Sequence, residues 1–218
     1  MEKKIQIYTP IAAILIFVCF PLLLLAVGDF PRRTLLKELV SLLSIIAFFL
    51  MLGQFFLARS NRNILKEHKM SGILKVHKFI GYFFIAALLF HPFLIVFPRY
   101  FESGISPVDA FVTIISNYDK TGVLLGMIAY LLMLILGLTS IFRKRLNLKN
   151  TTWRFFHGFL SMAFIIVAVW HVLMQGRHMN LPMSVYIITL AAVGVGLLLK
   201  TYFFELIKKT NNEQSNKE

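Results

Sequence analysis

The sequence predicts an all-α fold, a polytopic membrane protein built as a six-helix transmembrane bundle. Three observations carry this reading. The 218-residue chain is 58% hydrophobic, with a mean hydropathy of +0.74, which is more apolar than an ordinary soluble domain. Its apolar residues gather into runs near the ~20 residues that a helix needs to cross hydrocarbon. Those runs lack the period-two alternation of membrane barrel strands, and no long polar linker divides them.

The elements follow in order. After a cytoplasmic N-terminal tail (1–9), the first span is expected at Pro10–Gly28. "MEKK", an apolar run and "AVGD" also fit a cleaved signal peptide. The run is long for such a segment and another span follows soon, so a retained span is the reading adopted. The second span is expected at Leu39–Ala58 and the third at Val76–Phe97. The loop "RYFESGISPVDAFVTIISNYD" is long enough to hold a short surface helix. Spans at Thr121–Phe142, Trp153–Met174 and Met183–Phe204 complete the set. Residues 10–204 thus form one domain. Residues 205–218 are expected as a polar cytoplasmic tail, with the composition of a disordered segment.

The net charge of +13 does not indicate a nucleic-acid partner, because the basic residues cluster at the ends of apolar runs. With the N-terminus inside, 17 of the 23 basic residues fall on the inner side. The positive-inside rule then places both termini in the cytoplasm of a multi-pass cell-membrane protein. The six outer basic residues are Arg32, Arg33, Lys37, Arg99, Lys120 and Arg177. The loop "DFPRRTLLKE" runs against the trend. The single cysteine, Cys19, excludes an intramolecular disulfide.

Histidine spacing is the functional signal. His68 and His178 fall in loops, where a solvated polar role suffices. The other four lie in spans: His77 and His91 in "HKFIGYFFIAALLFHP", and His157 and His171 in "HGFLSMAFIIVAVWH". Each pair is 14 residues apart. On a helix that separation returns to within ~40° of the same face after a rise of ~21 Å. The fifth span runs in the same direction as the third, so His77 faces His157 on the inner side and His91 faces His171 toward the outer side. A lone histidine in a span is more often a helix-packing residue. The repeated spacing at matched depth instead suggests two bis-imidazole sites between bundle helices, such as take the axial positions of heme iron. No further Cys, Asp or Glu is spaced to complete a tetrahedral zinc site. Copper binding and a proton relay remain alternatives, although a relay does not require paired depths.

The surroundings suit a flat apolar ligand. Gly81 and Gly158 would let it approach the backbone, unless they only serve helix packing. Phe79, Phe83, Phe84, Phe90, Phe155, Phe156, Phe159 and Phe164 are available to line its pockets or to face lipid. Lys75, Lys78 and Arg154 at the inner level, and Arg99 and Arg177 at the outer, could neutralise propionates. Arg177 and His178 are also candidate contacts for an acceptor.

These histidine segments, with "TGVLLGMIAYLLMLILGLTSIFRKRL", resemble the ferric-reductase-like transmembrane domain, the membrane half of ferric reductases and NADPH oxidases. The resemblance runs from about Gly53 to Met174. It implies a six-helix bundle holding two stacked hemes b, with His77/His157 as the inner axial pair and His91/His171 as the outer pair. It also implies an electron-transport role, the membrane component of an oxidoreductase. Many relatives continue into a cytoplasmic flavin- and nicotinamide-binding module, for which the 14 residues after Phe204 leave no room. "GVG" at Gly194–Gly196 lies within an apolar run and is not a phosphate loop. A separate cytoplasmic flavoreductase is therefore the expected donor, and ferric iron or oxygen the extracytoplasmic acceptor. The chain is also similar to the heme-binding membrane subunit of the bacterial methionine-sulfoxide reductase system, which would feed an exported reductase. A non-redox transporter or assembly subunit is the remaining alternative. The chain lacks the repeated Gly- or Pro-broken spans that mark many transporters.

Overall fold

The computed structural model describes residues 9–57, 61 and 68–215, with side chains as far as 203. Residues 1–8 of the expected N-terminal tail lie outside the described residues, as do Arg59, Arg62 and Lys66 of the first inner loop. The described residues form helices and turns with no strand. In chain order the helices are α1 (Thr9–Val27), α2 (Leu35–Phe56), α3 (Met70–Ser103), α4 (Pro107–Ser116), α5 (Thr121–Ile141), α6 (Asn150–Gln175) and α7 (Leu181–Ser215). All but α4 contain a stretch long and apolar enough to span a bilayer, which gives the six spans expected. Below, "proximal" means the end where α1 begins and α7 finishes, and "distal" the opposite end.

The boundaries move for local reasons. In α1, residues Leu15–Cys19 are wound as a π-helix immediately before Pro21. Proline lacks the N–H for an i→i−4 bond and its ring crowds that carbonyl, and the wider turn absorbs the misfit. Helix α3 is 34 residues long and overruns its expected span at both ends. Pro92 and Pro98 each remove one backbone bond without stopping it. It ends at Gly104, whose φ of +67° is the left-handed conformation of a helix C-cap. The surface helix foreseen in the long loop is α4. Ser106 caps it by accepting from the Asp109 backbone N–H, with Pro107 in the first turn. Helix α7 continues to Ser215, where a disordered tail was expected. Leu, Glu, Lys and Gln in that segment are good helix formers, and extending a helix already nucleated is cheap.

Around the bundle, α2 packs most extensively on α3 and α5 on α6. α7 closes against α6, α2 and α1, and α3 also touches α4 and α5. Phe49, Leu52, Met133, Ile165, Met183 and Ile187 are fully buried between the helices. Large apolar side chains such as Leu23, Val27, Ile166 and Leu181 point outward, as expected where lipid is the solvent. Helices α3 and α6, which carry the four histidines, are not among the closely packed pairs. Phe84 of α3 and Phe164 of α6 meet midway between them.

Candidate functional site

His77 and His91 lie on α3, and His157 and His171 on α6. His77 and His157 lie within electrostatic reach of each other at the proximal level, as do His91 and His171 at the distal level. Among the described residues no three His, Cys, Asp or Glu side chains converge. The four histidines are therefore not gathered into one cluster.

Three of the four imidazoles are held through Nδ1. His91 Nδ1 lies 3.4 Å from Ser44 Oγ, and His157 Nδ1 lies 3.3 Å from Ser140 Oγ. Each serine already donates its own proton to a carbonyl one turn back: Ser44 to Val40 at 2.8 Å, Ser140 to Leu136 at 2.6 Å. Both hydroxyl oxygens are then left to accept, so the Nδ1 atoms donate. His171 Nδ1 lies 2.7 Å from the Gly122 carbonyl, which can only accept. All three rings thereby take the tautomer that leaves Nε2 with a free lone pair. Metal-ligating histidines are oriented in this way by their other nitrogen.

The distal pair lines a cavity of about 640 Å³, within the ~300–1,000 Å³ range of cofactor sites. Gly126 and Ala129 of α5 and Ala168 of α6 supply small walls, and Phe48 and Phe164 supply aromatic ones. A Cβ at Gly126 would fall 2.5 Å from the His171 ring, so only glycine lets that ring sit where it does. The proximal level differs. His77 lies within hydrogen-bonding reach of the Gln54 backbone, while both side-chain amide atoms of Gln54 and Trp153 Nε1 are buried without a hydrogen-bond partner. Trp153 stacks on His157 with centroids 4.8 Å apart, and the Arg143 guanidinium lies 4.3 Å over the indole. Orphaned buried polar atoms are rare enough to need a reason, and a bound polar-edged cofactor supplies one. At the distal level the histidine pair, the cavity and its small walls fit a heme.

Between the levels, Phe84 of α3 and Phe164 of α6 meet with centroids 5.8 Å apart. Each stands seven residues from both histidines of its own helix, and both are buried. Of the eight phenylalanines considered from the sequence, these two enter the core, while Phe79, Phe83, Phe90, Phe155, Phe156 and Phe159 are exposed.

The other residues singled out in the sequence are placed as follows. Gly158 opens onto the Tyr202 hydroxyl of α7, which donates to the Arg154 carbonyl, so it is a packing glycine. Gly81 has open space beside it. Lys75 and Lys78 are exposed on α3, whereas Arg99 and Arg177 line the distal cavity. His178, read from sequence as a solvated loop residue, is 4% exposed. Phe30 covers it edge-on at 4.9 Å, and Glu38 Oε2 lies 3.6 Å from its Nε2. Burial pushes its pKa below the ordinary value, against a partial opposing pull from Glu38. Ser44, Ser140, Gly122, Gly126 and Gln54 escaped the sequence reading. Serines and a glutamine inside apolar runs were the available signal.

Fold and site together define a class: an all-helical membrane protein with two histidine pairs stacked between helices. Residues 43–168 match the family described as "Ferric reductase like transmembrane component". The chain belongs to that family. The match starts within α2 and stops just short of His171, close to the Gly53–Met174 range expected. The chain is also 43% identical over 164 residues to a protein of Archaeoglobus fulgidus described as "Uncharacterized protein", covering 75% of this chain and 89% of that one. No solved structure matches it significantly. Membership of this family points to membrane electron transfer.

Proposed function

We propose that the chain carries electrons across the cell membrane, using two hemes b held by His77/His157 and His91/His171. The observation that carries this reading is the pairing of four histidines at two levels, with Nδ1 of three of them engaged and Nε2 left free. Each heme would supply a one-electron Fe(III)/Fe(II) couple with no free coordination position. The chain's own part is positional. Ser44, Ser140 and the Gly122 carbonyl fix the rings, Gly126 makes room for His171, and Phe84 and Phe164 exclude water midway. Residues 10–204 act as one electron-transfer domain. Both termini lie in the cytoplasm, where a flavoreductase partner supplies electrons to the proximal level. The distal level faces an extracytoplasmic acceptor such as ferric iron or oxygen.

The test is direct. Full-length protein purified in detergent should show a low-spin b-type spectrum, and pyridine hemochromogen assay should give about two hemes per chain, one for each histidine pair. A folded but colourless preparation overturns the proposal.

A further inference from the structure

At the proximal level a cation, an indole and a histidine are stacked in series. The Trp153 indole lies on the His157 imidazole, with centroids 4.8 Å apart and planes 21° from parallel. The two residues are four apart on α6, so one helical turn builds the contact. The Arg143 guanidinium lies 4.3 Å from the centroid of that indole, reaching it from the turn Arg143–Arg145 that follows α5. No hydrogen bond orients the indole, since Nε1 has no partner. Arg143 donates to Asn150 Oδ1, which is neutral, and among the described residues no carboxylate pairs with it. Its charge is therefore not offset locally, and it lies within electrostatic reach of His157. Positive-inside topology accounts for a charge on this side. It does not account for a guanidinium set on the ring that covers a histidine, an arrangement that costs a long side chain its rotamer freedom.

We propose that Trp153 and Arg143 are positioning residues for the proximal electron site: Trp153 fixes the plane of the His157 ring and holds the Arg143 charge where it favours the arrival of an electron. The inference rests on the electron-transfer reading above and names what tunes its proximal end. Guanidinium is suited to the task, because it stays charged at all working pH and stacks on aromatic faces. One-electron reduction lowers the positive charge of the site by one unit, so a fixed cation beside it stabilises the reduced form. The guanidinium lies within roughly 10 Å of the imidazole through the two stacked contacts. At that distance and an effective dielectric of ~20, a unit charge shifts such an equilibrium by up to about tenfold. The distal level is ~21 Å further along the helices, well past the ~8–10 Å over which an exposed charge acts in salt, and should not respond.

The test is a potentiometric titration of the full, heme-loaded chain in detergent, followed optically. The wild type should show two one-electron steps. Arg143→Gln should lower one midpoint potential by up to about 59 mV, the equivalent of a tenfold change for one electron, and leave the other in place. The shifted step should persist in the His91→Leu background, which identifies it as the proximal one. Arg143→Lys keeps the charge and should recover most of the shift. Arg145→Gln should move neither step, because that guanidinium lies over Phe142 instead of Trp153. Trp153→Phe should keep the ring stack and the low-spin electron paramagnetic resonance signal of the proximal centre. Trp153→Leu should alter that signal, which reports the ligand ring planes, and lower the same potential as Arg143→Gln does. Equal shifts from Arg143→Gln and Arg145→Gln overturn the proposal and reduce both cations to general surface charge. Two hemes whose midpoints Arg143→Gln leaves unmoved also overturn it, with the electron-transfer reading intact. A folded wild type without heme overturns both.

Discussion

Two serines do the same task at opposite ends of the site. Ser44 and Ser140 each give their proton to their own helix and turn an oxygen toward a histidine Nδ1. Replacing Ser140 with Ala leaves His157 without that partner, free to rotate or change tautomer. Loss of such a supporting hydrogen bond typically weakens metal affinity ~10–100-fold. Heme transfer from the Ser140→Ala variant to apomyoglobin should therefore speed up for one of two hemes. His91→Leu should remove the distal heme alone and halve the heme-to-protein ratio; loss of both or neither would break the pairing by depth. His178 predicts a pH response. Its pKa is held below the ordinary 6.5 by burial, with Arg177 and Arg33 adding to the lowering and Glu38 opposing it. Opened or unfolded forms therefore bind the extra proton first. The stability this residue contributes is present above about pH 6.5 and is lost as pH falls below it. The thermal midpoint should drop between pH 7 and 5.5, and His178→Gln should flatten that part of the profile.

At the scale of the helix, the spacing within one element and the matching of the two histidine helices by depth were legible, and the groups that anchor the rings were not. Fourteen residues is close to four turns, so the two histidines on α3 had to share a face, and so did those on α6. Phe84 and Phe164 follow from the same register at its midpoint. The histidines' anchors lie 47, 17 and 49 residues away in sequence. No periodicity within one span tells which neighbour it will meet. For Gly158 the packing alternative is the one the structure favours, because its open side faces α7 rather than the histidine pair. His178 was misread because loop position says nothing of Phe30 and Glu38 folding over it. Gly126 and Gly196 make the contrast testable. A Cβ at Gly126 meets the His171 ring, whereas one at Gly196 meets nothing within 4 Å. Gly126→Ala should lower distal heme content and broaden its spectrum. Gly196→Ala should leave the heme content unchanged and shift stability by no more than ~0.5 kcal/mol.

For the whole molecule, the proposal turns two levels of side chains into a direction. The histidine levels stand ~21 Å apart along helices that cross the membrane, which is roughly two-thirds of a ~30 Å hydrocarbon core. An electron moving from the proximal to the distal level would thus traverse most of the transmembrane field. Moving one charge through the whole field is worth ~2.3 kcal/mol per 100 mV. Two-thirds of that is ~1.5 kcal/mol, or about a tenfold change in the balance between the levels. In the proposed orientation, with the termini cytoplasmic and that side negative, the field would drive electrons outward. Proteoliposomes can test this, with a reductant sealed inside, an impermeant oxidant outside, and a potassium gradient with valinomycin setting the potential. In vesicles with the proximal end facing the lumen, reduction outside should be faster with the lumen negative than with it positive, by up to about tenfold per 100 mV. A rate insensitive to the sign of the potential would mean that the two levels do not lie in series across the membrane, and the transmembrane direction would have to be given up even if both hemes were found.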